Sequence, residues 1–145
     1  MFQNPDIGEI CAMLREVKTI AIVGLSPLAT RPSYRIARAL QGAGYRIIPI
    51  RPLVPKVLGE QAYSRLQDLP EPVDLVNVFR ASRFVDGIVD DCIHLGIKRL
   101  WIQEGIVNEP AAERARDAGL RVVMDRCIWR DYNGICRSLS GDEDP

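Results

Sequence analysis

Five short stretches with strand-like apolar character, most of them separated by helix-like segments, restrict what this chain can become. "TIAIVG" (19–24) is almost wholly apolar, as a strand buried on both faces is, and "YRIIPI" (45–50), "DLVNVF" (74–79), "KRLWIQ" (98–103) and "RVVMD" (121–125) read as further strands. "QAY" (61–63) is a candidate for one further short strand. Between them, "RPSYRIARALQGAG" predicts a helix with Pro32 in its first turn and Gly42 or Gly44 at its end. "RFVDGIVDDCIHLG" predicts another, capped by Ser82, with Phe84, Ile88, Cys92 and Leu95 beside Val85, Val89 and Ile93 on one stripe. "EPAAERARDAG" predicts a third, capped by Asn108, and "DIGEICAML" an N-terminal helix capped by Asp6 with Glu9 three residues on. "SRLQDLPEP" is a short helix or turn.

Strands alternating with helices join through right-handed crossovers into a parallel sheet covered on both sides. The expected architecture is α/β: a Rossmann-like, doubly wound, three-layer fold with five or six parallel strands. No repeat or linker interrupts the pattern, so the expectation is a single domain over residues 1–145, with 138–145 as a frayed tail.

Charge narrows the partners. Lysine plus arginine and aspartate plus glutamate stand at 19 each, and the formal net charge is zero. Bulk attraction to nucleic acid or to an anionic membrane is therefore not expected, and an anionic ligand must be captured locally. No apolar run approaches a membrane span, and no signal peptide is evident, so a cytoplasmic protein is expected. Cys11, Cys92, Cys127 and Cys136 are far apart in sequence and read as four free thiols in a reducing compartment. His94 is the single histidine, so no metal site is expected. It lies on a polar helix face, as a solvated side chain would.

A doubly wound sheet binds ligands outside the carboxyl ends of its strands, near the point where strand order reverses. The loop after the first strand, "GLSPLATRPS", is therefore the first place for a ligand. Gly24 permits a sharp turn, the next helix begins near Pro32, and Ser26, Thr30, Ser33 and Arg31 supply donors suited to phosphate. The second and third glycines of a dinucleotide fingerprint are absent. The second strand ends in Ile50–Arg51–Pro52, with a cation where an NAD site carries a carboxylate. That argues against NAD and permits NADP or coenzyme A, both of which carry an extra ribose phosphate. Lys56 lies five residues beyond Arg51. Phe79 and Arg80 end the next strand, and Gln103, Glu104 and Gly105 end the one after. Phe79 either lines a channel or packs in the core. Trp101 belongs to the core. Cys127, behind Asp125–Arg126, is either an inert thiol or a partner for a mixed disulfide with coenzyme A. No catalytic constellation is present in the sequence pattern.

Taken together, "VGLSPLATRPSYRIARAL", "GYRIIPIRP", "DLVNVFR", "LWIQEGI" and "VVMDRC" resemble the small stand-alone CoA-binding proteins of bacteria, which are similar to the CoA-binding domain of the succinyl-CoA synthetase alpha subunit. The likeness runs from about residue 17 to 128. It implies coenzyme A or an acyl-CoA as the ligand, held by a non-catalytic or regulatory module; an NADP-linked oxidoreductase is the alternative. It implies that Gly24, Ser26, Arg31 and Ser33 surround the phosphates, with Leu25, Pro27, Pro32 and Tyr34 completing that loop. Arg51, Pro52 and Lys56 would flank the adenosine, and Phe79, Arg80, Gln103 and Gly105 the pantetheine arm. The family usually has asparagine where this chain has Arg51. The phosphorylated histidine and nucleotide-grasp domain of the synthetases have no counterpart in this sequence.

Overall fold

The computed structural model describes residues 1–140, the last two by their backbone alone. Helix α1 (Ile7–Glu16) starts where expected: Asp6 Oδ1 accepts the Glu9 N–H at 2.9 Å. Then follow β1 (Thr19–Val23), α2 (Pro32–Gly42), β2 (Arg46–Ile50), β3 (Lys56–Val57), β4 (Glu60–Gln61), β5 (Leu75–Val78), α3 (Val85–Leu95), β6 (Arg99–Gln103), α4 (Glu109–Asp117), β7 (Arg121–Arg126), α5 (Ile128–Asp131) and α6 (Arg137–Ser140).

The main sheet has five strands in the order β2-β1-β5-β6-β7, all parallel. Strand order reverses between β1 and β5, where Val23 pairs with Val78. The alternation of side chains sorts the core into two layers. Ile20, Ile22, Leu75, Trp101 and Val123 pack against α1, α2 and α5. Ala21, Val23, Val76, Val78, Leu100 and Ile102 pack against α3 and α4. The chain is thus the three-layer, Rossmann-like α/β fold its sequence pattern predicts. Trp101 is fully buried, and its indole N–H donates to the Arg126 carbonyl at 2.8 Å.

Several local expectations are corrected. "QAY" adds no full strand. Gln61 ends the antiparallel β3–β4 hairpin, and Tyr63 makes one parallel bridge to Ile50. "SRLQDLPEP" contains only a 3₁₀ turn, Leu66–Asp68. Ser82 does not cap α3, because a second 3₁₀ turn (Ser82–Phe84) intervenes and the Ser82 hydroxyl donates to the Val107 carbonyl at 2.6 Å. Residues 138–140 of the expected tail are helical, and 141–145 lie outside the described residues.

The cysteines bring the largest correction. Cys11 and Cys136, 125 residues apart, form a disulfide with a Cα–Cα distance of 5.2 Å. After β7 the chain turns back through α5 and a widened π-helical turn (Tyr132–Cys136), which packs against α1. Tyr132 meets Tyr45 edge-on at 5.3 Å and lies 5.7 Å from Trp129. This docking brings two thiols together that no local spacing relates.

Candidate functional site

The carboxyl end of β1 is wedged between its neighbours. The Gly24 N–H donates to the Ile50 carbonyl of β2 at 2.9 Å, and the residue adopts φ +89°. A Cβ at this position would lie 2.6 Å from the Phe79 carbonyl oxygen and 2.9 Å from Arg80 Cδ. Only glycine meets both demands. The turn thereby leaves the sheet at its switch point and delivers the chain to α2.

Helix α2 begins without a side-chain cap. Its N-cap residue is Arg31, which offers no acceptor, whereas Asp6 caps α1 and Asn108 caps α4 through a bond from the Ala111 N–H at 3.2 Å. The first amides of α2 therefore face outward with the positive end of the helix dipole behind them, an arrangement that favours an anion. The two serines hold the loop itself. Ser33 Oγ accepts the Ser26 N–H at 3.0 Å, and Ser26 Oγ accepts the Leu28 N–H at 3.1 Å. Both side chains are buried, while Pro27, Thr30, Arg31 and Pro32 are exposed. Leu25 is fully buried in the core and Tyr34 packs against it, so of these loop residues they contribute backbone rather than side chain to the rim.

Charge is unevenly paired. Arg31, Arg51, Arg80 and Arg83, on the loops after β1, β2 and β5, have no carboxylate within ion-pair distance among the described residues. Arg80 and Arg83 lie over the Phe84 ring at 4.0 and 4.6 Å. A chain of zero net charge thus keeps a local positive rim. Lys56 stands on the β3–β4 hairpin, which Gln41 in the last turn of α2 anchors through the Leu58 carbonyl at 3.1 Å. Pro52 is exposed beside Arg51.

Next to the rim, a cleft of about 540 Å³ runs between the start of α2 and the loops after β5, β6 and β7. Pro32, Phe79, Arg80 and Gln103 line it, as do Ile36, Ala81, Glu104, Ile106, Cys127 and Arg130. Phe79 therefore both packs against the core and walls the cleft. Gln103 is only 4% exposed; its Oε1 accepts from the Ile128 N–H and Asn77 Nδ2, each at 3.4 Å. Its Nε2 has no acceptor among the described residues. Asn77 is wholly buried, and its Oδ1 has no partner among the described residues.

The far wall is set by a bulge. Gln103 pairs with Arg126, so Asp125 is squeezed out of register at φ +61° and accepts the Gly105 N–H at 2.8 Å. Gly105 is required by its φ of +88°, with no atom of the chain crowding it. Arg130 forms a two-pronged bond to Glu104 at 2.7 and 2.9 Å, which holds that carboxyl below the usual range. Arg126 clasps the buried Asp131 in the same manner at 2.7 and 3.0 Å. Sequence inspection missed Ile36, Ala81, Ile106 and Arg130. The apolar three read as ordinary helix or loop residues, and Arg130 enters only because α5 folds back over the sheet.

Comparison with known proteins agrees with this geometry. The profile of the CoA binding domain matches residues 18–133. An uncharacterized Bacillus subtilis protein, YneT, is 40% identical over 126 residues, which span 87% of this chain and 93% of that one. A solved structure of a hypothetical protein from Pyrococcus horikoshii superposes with a TM-score of 0.86 at 29% identity, over 92% of this chain and 96% of the other. The ADP-forming acetate–CoA ligase II of Archaeoglobus fulgidus is 28% identical over 83 residues, covering 56% of this chain but only 12% of the ligase. By the extent of the profile match and of the likeness to YneT, the chain belongs to the CoA binding domain family.

Proposed function

We propose that the protein binds coenzyme A or an acyl-CoA across the rim and cleft, as a regulatory or carrier module without catalysis of its own. The observation that carries this reading is the uncapped start of α2, with Arg31 as its N-cap and no carboxylate opposite. A pyrophosphate supplies the missing acceptors, and Arg31 and the Ser26 and Ser33 hydroxyl hydrogens add donors. Arg51 and Pro52 then flank the adenosine, with Arg51 directed to its ribose phosphate and Lys56 within reach only of the ligand's outer edge. The pantetheine arm follows the cleft past Phe79, Arg80 and Gln103, where the Gln103 amide meets a carbonyl of the arm.

Calorimetric titration with CoA, acetyl-CoA, 3′-dephospho-CoA and NADPH tests it. CoA or acetyl-CoA is expected to bind well below a Kd of about 1 mM, which is about 4 kcal/mol. Failure of both at that concentration rejects the proposal, and tight NADPH binding in their place favours an oxidoreductase.

A further inference from the structure

We infer that Cys127 is a site of reversible covalent attachment, where the thiol of a bound CoA is held as a mixed disulfide. This rests on the CoA reading above and adds a chemical step to it.

Three of the four cysteines are excluded by their surroundings. Cys11 and Cys136 are bonded to each other. Cys92 is fully buried within α3, where burial, and then the Asp91 charge, push its thiol up to about 12. Cys127 is the remaining free thiol, and it lines the cleft.

An independent feature marks that wall as a ligand contact. Two donors, the Ile128 N–H and Asn77 Nδ2, hold Gln103 Oε1, which fixes the orientation of the carboxamide and leaves its Nε2 to the cleft without an acceptor. The nitrogen is not enclosed by protein as Asn77 Oδ1 is, so it stays open to the cleft, where a ligand carbonyl can accept its hydrogen bond. The pantetheine arm carries amide carbonyls along its length and ends in a thiol. An arm whose carbonyl meets Gln103 therefore brings its sulfur into the part of the cleft that Cys127 lines. Arg130, fixed by Glu104, is within electrostatic reach of the Cys127 sulfur.

The step is a thiol–disulfide exchange with the symmetric disulfide of CoA. The Cys127 thiolate attacks one sulfur of the disulfide. A protein–CoA S–S bond forms, the CoA–CoA S–S bond breaks, and the departing CoA thiolate takes up the proton that Cys127 released. One disulfide is consumed and one is made, so no other oxidant is needed.

The test is intact-mass spectrometry of the full chain under non-reducing conditions after incubation with CoA disulfide, beside titration with reduced CoA. The expected result is a gain of one CoA less two hydrogens, mapped by peptide digestion to Cys127 and removed by dithiothreitol. Cys127→Ser, with folding verified by circular dichroism, is expected to abolish the adduct and Cys92→Ser to retain it. Gln103→Leu is expected to slow its formation about tenfold at sub-saturating disulfide, the equivalent of one charge-free hydrogen bond. A protein that binds reduced CoA but gains no mass overturns the inference while leaving the binding proposal intact, as does an adduct mapped to another cysteine. A protein that binds no form of CoA overturns both.

Discussion

Gly24 and the Phe79 carbonyl approach so closely that a β-carbon on the former would stand 2.6 Å from the latter's oxygen. The contact joins the two strands at the switch point, where the rim loop and the cleft begin. Replacing Gly24 by Ala therefore does two things: it places a side chain at φ +89° and it pushes β1 from β5. A loss of about 1–3 kcal/mol from the backbone conformation alone is expected, with further loss from the clash. Urea denaturation would show the lower midpoint, and titration a weaker CoA affinity.

The arginines of the rim should act on affinity and leave stability nearly unchanged. Arg31→Ala removes a charged donor from an exposed loop, and a weakening of CoA binding by roughly ten- to a hundredfold is expected from the value of a charge-assisted hydrogen bond. Arg51→Asn should erase most of the preference for CoA over 3′-dephospho-CoA. Titrations at two salt concentrations would check both, since each variant should also show a shallower salt dependence.

The disulfide bridges residues 125 apart, so cutting it frees almost the whole chain in the unfolded state. Reduction, or Cys11→Ser, is expected to lower stability by about 2–5 kcal/mol. Denaturation midpoints with and without reductant measure this, and the Cys11→Ser protein should show no further change on adding reductant.

Asp74 fastens the amino ends of β1 and β5. Its Oδ2 accepts the Lys18 and Thr19 N–H groups at 2.8 and 3.1 Å, and its own N–H donates to Thr19 Oγ1 at 2.8 Å. Partial burial acts to raise its pKa, but these bonds and the Arg99 charge outweigh it and hold the carboxyl below 3.8. A carboxyl depressed by folding stabilises the fold above its unfolded value and loses that contribution as pH falls through the folded one. Asp74→Asn should therefore cost about 1 kcal/mol near neutrality. Below pH 4 the two proteins should converge, which a series of thermal melts between pH 7 and pH 3 would reveal.

How much of this was readable from residues alone varies with the range of the interaction. Each main strand is an apolar run whose neighbours differ in pattern, so strand positions and the three-layer arrangement were set by local periodicity. Asp6 and Asn108 announced their helices because a cap is a contact over three residues. Gly24, Arg31, Phe79 and Gln103 were legible because a parallel sheet sends the ends of its strands to one rim, whatever the details. Ser82 misled because its hydroxyl found the Val107 carbonyl, a partner on a distant loop.

The order of the strands, the disulfide and the closure of the cleft were decided in three dimensions. Nothing near Cys11 or Cys136 in the chain says they meet; they do so because the segment after β7 folds back across α1 and packs the half-buried Trp129 and Tyr132 against the core layer, Tyr132 on Tyr45. The same turn carries Cys127 and Arg130 to a wall begun by residues 103–106. Local patterning fixes what each segment is, because it depends on neighbours three or four residues away. Which segments touch depends on how the buried faces pack, and that is a property of the whole chain.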